Sequence, residues 1–174
     1  TKITADDFKY AKAMNRSIKL LASSRKAGSS YTCMVAPYMI DSAHPLCGVN
    51  GVFNGIFLHG NALGDAMFYG SGAGKLPTAS AVVADVVDMA RHQHTNIYID
   101  WKPEKLTLVS YDDSVNRFFV RTDSPKEEVE KIFGNVSYVE NVVDGEYGFT
   151  TEAMAEKDFA AKADKINVIN RIRL

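Results

Sequence analysis

The sequence predicts an α+β fold: a mixed or antiparallel sheet with packed helices, followed by a small βαββαβ unit. Three observations carry this. Runs rich in β-branched and aromatic residues, separated by Gly-Ser and Gly-Asn turns, fill the stretch from Ile18 to Tyr69. A helix with a continuous apolar stripe then follows a glycine-rich turn. The last part of the chain alternates strand-like and helix-like pieces around Asp144-Gly145.

The elements follow in order. Thr4 and Asp7 have capping-box chemistry, with Asp in place of the usual Glu or Gln, and Phe8, Ala11 and Met14 recur at helical spacing, so 5–14 reads as a helix. Ile18 to Lys26 and Tyr31 to Tyr38 read as paired strands about a turn at Gly28-Ser29-Ser30, and Asp41 to Pro45 as a loop. Gly51 to His59 is a third strand, Gly60-Asn61 a hairpin turn, and Ala62 to Tyr69 the return strand. Beyond Gly70, Gly72 and Gly74, a helix runs from Pro77 to about His92. Ala79, Val82, Val83, Val86, Val87 and Ala90 form its apolar face. Pro77 suits the first helical position, where a missing N–H has no partner to lose. The composition between His94 and Tyr111 reads as a linker. It is followed by strand 116–122, helix 125–133, strands 136–143 and 146–150, helix 154–164 and strand 166–173.

The 174 residues, 46% hydrophobic and 24% charged, suit one or two globular domains. A net charge of -1 gives no basis for nucleic-acid or anionic-membrane binding, and the apolar runs are too short to span a bilayer. Cys33 and Cys47 lack metal-ligand spacing and read as reduced thiols, with a disulfide left open. The chain opens on Thr-Lys-Ile-Thr, without Met, which suggests a piece of something longer.

The glycine turn is the first candidate for chemistry. Glycines admit close approach, and the helix N-terminus behind them offers unpaired N–H groups to an anion. A P-loop needs Gly-x4-Gly-Lys-Ser/Thr, whereas Leu76 follows Gly74-Lys75 and Tyr69 stands five residues before Gly74. Gly70-x-Gly72-x-Gly74 also lacks the third spacing of a Rossmann fingerprint. Spacing alone therefore leaves open a simple strand-to-helix connection. His92-x-His94 reads as an exposed polar helix end rather than a metal site, and His44 and His59 as loop or edge-strand residues. Asp6 and Asp7 read as helix N-terminal charges and Asp112-Asp113 as a turn pair. Phe53, Phe57, Phe68, Tyr69, Phe118 and Phe119 read as core or interface residues, and no nucleophile–base set assembles.

HPLCGVNGVFNGIFLHGNALGDAMFYGSGAGKLPTASAVVADVVD, from His44 to Asp88, closely resembles the C-terminal half of the catalytic part of homoserine dehydrogenases, and the upstream ITADDFKYAKAMNRSIKLLASSRKAG is similar to the same family. The resemblance covers roughly 1–93. It implies an NAD- or NADP-dependent oxidoreductase that interconverts L-homoserine and L-aspartate 4-semialdehyde in threonine, methionine and isoleucine biosynthesis. It also implies a cytoplasmic homodimer formed through strands 51–69. Residues 1–95 would be part of the catalytic and dimerisation region, 96–115 a linker, and 116–174 an ACT-like, ferredoxin-like regulatory domain that binds an amino acid. Gly74, with Gly72 and Thr78 beside it, would approach the cofactor. The family's Rossmann domain, substrate-binding carboxylates and catalytic lysine would lie upstream of this chain, so no catalytic residue is expected here and the isolated piece should be inactive. Lys12 and Lys19 do not match the lysine motif. Asp123-Ser124-Pro125-Lys126-Glu127-Glu128 also lacks the glycine of an ACT effector turn, which leaves a purely structural module as the alternative.

Overall fold

A computed structural model describes residues 2–174. In chain order its elements are α1 (Ala5–Ala13), β1 (Arg16–Ala27), β2 (Ser30–Asp41), β3 (Phe53–Gly60), β4 (Gly64–Ser71), α2 (Lys75–Arg91), β5 (Val115–Asn116), β6 (Phe118–Thr122), α3 (Lys126–Phe133), β7 (Ser137–Val139), β8 (Tyr147–Thr150), β9 (Met154–Ala155), α4 (Glu156–Ala163) and β10 (Val168–Arg173). The α+β class with a mixed sheet is as expected. The contacts divide the chain into two compact units: 2–42 with Lys105–Leu174, and Ala43–Glu104. The expected first region, 1–95, is thus shared between both.

The first unit is built on a six-stranded sheet in the order β1-β2-β10-β6-β8-β7. Every pairing is antiparallel except β2 with β10, which run parallel through Tyr38 and Arg173. Alternation along β6 gives the sheet two cores. Phe118 and Val120 pack with Val129 and Phe133 of α3, Phe149 of β8 and Phe159 of α4. Phe119 turns the other way, onto Tyr10 and Ala11 of α1, Met39 and Ile172. Each helix therefore buries one stripe against the strand face that matches it. β1 and β2 meet through Gly28-Ser29, with Gly28 at φ +62°, the positive φ that a two-residue hairpin asks of its first position.

Several boundaries differ from the sequence reading. Strand 136–143 stops at Val139, because Asn141 and Gly145 take positive φ and the chain leaves the sheet before the turn. Met154 and Ala155 are not helical. They pair with Asn116 and Val115, and the helix begins at Glu156.

In the second unit, Phe53–Gly60 pairs in register with Gly64–Ser71. Asn61, Ala62 and Leu63 connect them and Gly64 sits at φ +74°. This is a three-residue hairpin loop closing on a left-handed glycine, not the expected two-residue Gly60-Asn61 turn. None of the residues 43–104 is buried.

Candidate functional site

The turn from Gly70 to Gly74 carries the chain from β4 into α2. Gly70 is still paired with Asn54 and Ser71 with Phe53. Gly72 lies against the Asn54 side chain so closely that a Cβ there would stand 2.5 Å from Asn54 Nδ2. Gly74 is the residue that precedes the helix, at φ +115° and ψ 156°. A Cβ on Gly74 would meet only the Pro77 ring, Cδ at 3.5 Å and Cγ at 3.9 Å. A side chain at Gly72 would need the exposed Asn54 side chain to move aside, whereas Gly74 is required by its backbone conformation. The Thr78 N–H donates to Gly74 O at 3.1 Å and closes the first helical turn. Pro77 is the third helical residue, not the first, since the helix begins at Lys75. It remains within the turn whose N–H groups have no helical acceptor.

This helix end has the chemistry of an anion-facing surface. No side chain caps it and no acidic residue lies in its first turn, so its N–H groups and the positive end of the helix dipole are not neutralised from within α2. The helix keeps its apolar face, yet no residue of α2 is buried. Val83 and Val86 are each 60% exposed. Phe53, Phe68 and Tyr69, read as core or interface, are exposed as well, with Phe53 stacked on Tyr69 at 5.0 Å. Phe57 is half-buried, beside the His44 ring at 5.1 Å.

The remaining candidates have local partners. His92 Nδ1 lies 3.0 Å from Asp88 O and 3.2 Å from Asp88 Oδ1, at the end of α2. Across the β3–β4 hairpin, His59 Nδ1 is 2.5 Å from Asp65 Oδ1. His44 Nδ1 accepts from the Leu46 N–H at 3.2 Å. Among the described residues, no three of His, Cys, Asp or Glu gather as a metal site, and neither Cys33 nor Cys47 is in a disulfide. The Asp112-Asp113 pair sits in a short 3-10 turn, with Asp113 bonded to Lys157 at 2.7 Å.

Two polar clusters in the first unit went unread in the sequence. Arg121 on β6 is 4% exposed and donates through Nη1 to Asp7 Oδ1 at 2.8 Å. Its Nε and Nη2 donate to the two oxygens of Glu146, each at 2.8 Å. Burial would lower the guanidinium pKa, but the carboxylates of Glu146 and Asp7 override it and hold Arg121 protonated. The second cluster surrounds Glu156, 2% exposed, which accepts from Arg173 Nε at 2.6 Å and from Arg171 Nη1 at 3.1 Å. Isolated charges separated by tens of residues carry no periodic signal. The one available hint was an arginine inside the apolar strand FFVRT, where burial demands a counter-charge.

Comparison with known proteins bears on the first half of the chain most directly. A family model described as homoserine dehydrogenase matches residues 1–87. A homoserine dehydrogenase of Neisseria gonorrhoeae is 33% identical over 135 residues, 73% of this chain and 31% of that protein. One of Pseudomonas aeruginosa is 43% identical over 91 residues, 52% of this chain and 21% of that protein. Among solved structures, a homoserine dehydrogenase from Thiobacillus denitrificans superposes with a TM-score of 0.82 at 28% identity, over 99% of this chain and 45% of that one. The S. aureus homoserine dehydrogenase at pH 7.0, at 24% identity and a TM-score of 0.73, shares the fold over 98% of this chain and 45% of its own. The chain thus spans a third or less of these two curated relatives, and less than half of the solved chains.

Proposed function

The chain belongs to the homoserine dehydrogenase family, and we propose that it is part of a cytoplasmic enzyme that interconverts L-homoserine and L-aspartate 4-semialdehyde with NAD or NADP. Its place there is structural and cofactor-facing. The nicotinamide cofactor would supply the hydride chemistry, and this chain's residues would shape one wall beside it. Gly74 lets the backbone approach, Thr78 closes the helical turn behind it, and Gly72 keeps the turn tight against Asn54.

The observation that carries this reading is the end of α2: a left-handed Gly74, an uncapped and acid-free first turn, and a helix with no buried residue, within the stretch matched to the family. Such an end fits an anionic, phosphate-bearing cofactor as one wall of its site and no more than one. The apolar surface of β3 and β4, with Ile56, Leu58 and Phe68 exposed, supports homodimerisation through strands 51–69.

For residues 116–174 the reading is an ACT-like module in a structural role. Strands β10-β6-β8-β7 with α3 and α4 on one face support the module. Its first turn is occupied from within, because Ser124 O accepts from Tyr147 OH at 2.8 Å and Ser124 Oγ accepts from the Asn167 N–H at 2.9 Å. These bonds favour structure over amino-acid sensing. The test is homoserine-dependent reduction of NAD and NADP. Activity is expected from a protein that carries this chain behind its upstream segment, and none from the 174 residues alone. Turnover by the 174 residues alone overturns the proposal that catalysis resides upstream.

A further inference from the structure

Arg171 and Arg173 are two residues apart on β10 and so share one face of the strand. Together with Tyr111 and the Met34–Pro37 stretch of β2 they line an open cleft of about 210 Å³, room for several water volumes. One carboxylate stands against these two cations. Glu156 accepts from both, and also from Tyr111 OH and Asn116 Nδ2, each at 3.1 Å. Arg173 Nη2 donates to Tyr111 OH at 2.7 Å. The cluster therefore keeps one uncompensated positive charge.

The guanidiniums are held in place before anything binds. Arg171 stacks over Phe159 at 4.8 Å and Phe118 at 5.6 Å, and Arg173 lies over Tyr111 at 5.6 Å. Arg173 is 7% exposed. Within the described residues, Arg171 Nε and Arg173 Nη1 donate to no protein acceptor, since the bonds of both side chains run through their other nitrogens. Met34, Val35, Ala36 and Pro37 line the other side of the cleft, and by strand alternation Met34 and Ala36 share the face of Arg173.

We propose that this cleft binds a small monocarboxylate, its carboxylate on Arg171 and Arg173 and its short aliphatic body against Met34–Pro37. One excess positive charge matches one negative charge, and guanidinium donors match the planar carboxylate. Inorganic phosphate brings more charge and no apolar body. The site is separate from the Asp123–Glu128 turn: Arg173 pairs with Phe118 at the start of β6, whereas that turn follows Thr122 at its end. It is also independent of the dehydrogenase reading.

The test titrates the 174-residue chain with propionate, inorganic phosphate and chloride at constant ionic strength, following the arginine Nε–H and backbone amide NMR signals. Propionate is expected to shift the Arg171 and Arg173 Nε–H signals and the Met34–Ala36 amides, saturating in the millimolar range. Arg171→Gln, at a half-buried position, is expected to weaken propionate about tenfold, the loss of one charged hydrogen bond. Its circular dichroism should match the wild type. If Arg171→Gln unfolds, the wild-type competition between propionate and phosphate decides. Non-saturating shifts, equal shifts with chloride, phosphate binding as tightly as propionate, or unchanged affinity in a folded Arg171→Gln would each overturn the proposal.

Discussion

Arg121 and Asp7 are 114 residues apart in sequence and 2.8 Å apart in space, and the two side chains are 4% and 0% exposed. The pair joins α1 to the central strand β6. Asp7 also accepts from Asn170 Nδ2 of β10 at 2.7 Å and from the Thr4 N–H at 2.7 Å, which completes the expected capping box. A residue read as a helix-end charge is thus the anchor of the helix. Arg121→Met should strand Asp7 and Glu146 as uncompensated charges and destabilise the chain by roughly 3–5 kcal/mol. Adding Asp7→Asn and Glu146→Gln should return much of that loss. Urea unfolding of the single and triple variants checks both, and strict additivity of the three changes contradicts the network.

Tyr10 lies on the same face, fully buried, and among the described residues its hydroxyl makes no well-formed hydrogen bond, its nearest acidic neighbour being Glu146. Burial, with the nearby Glu146 carboxylate, pushes its pKa up to about 12 from an ordinary 10.0. A folded pKa above the unfolded one means that the native state keeps a proton the unfolded chain has released. Stability from this group is therefore full below pH 10 and falls as pH rises toward 12. Tyr10→Phe should change stability at pH 7 by under about 1 kcal/mol, because at most a poorly formed contact with Glu146 is lost. It should also make the loss between pH 10 and 12 shallower. Parallel pH profiles of the two proteins, by denaturant midpoint, test this.

The two apolar helix faces should respond unequally to truncation. Val129 of α3 is fully buried and Val86 of α2 is 60% exposed. In the 174-residue chain, Val129→Ala should cost roughly 2–3 kcal/mol, and Val86→Ala under about 0.5 kcal/mol. Calorimetry and denaturant melts decide. An equal cost at both positions would show that α2 is packed in the isolated chain.

The module 116–174 should leave threonine unbound. With Ser124 engaged by Tyr147 and Asn167, millimolar threonine should leave the melting temperature unchanged. A dose-dependent rise would favour the sensing role instead.

Much of this architecture was legible because periodicity is local. The stripe Val82-Val83-Val86-Val87 marks α2, and the short apolar run Phe118-Phe119-Val120 marks β6. The glycine turn was legible as well, although its two glycines differ, Gly72 lying against the movable Asn54 side chain and Gly74 being fixed by its φ. The buried charges were not. Arg121 with Asp7, and Arg173 with Glu156, meet only when the sheet assembles β2, β10, β6 and β8 side by side. Nor could spacing foretell that Met154 and Ala155 pair with β5, since a helical pattern and a two-residue bridge compete there and the tertiary partner wins.

The proposed approach of Gly74 to a nicotinamide cofactor is tested most directly by steady-state kinetics of Gly74→Val in a full-length enzyme that contains this chain. A β-branched residue at φ +115° costs about 1–3 kcal/mol of backbone strain and sets its bulk beside Pro77 at the start of α2. A cofactor-facing Gly74 predicts a KM for NAD or NADP raised about tenfold or more on substitution, with a smaller change in the KM for homoserine and a protein still folded by circular dichroism. An unchanged cofactor KM in a folded, active variant would contradict it.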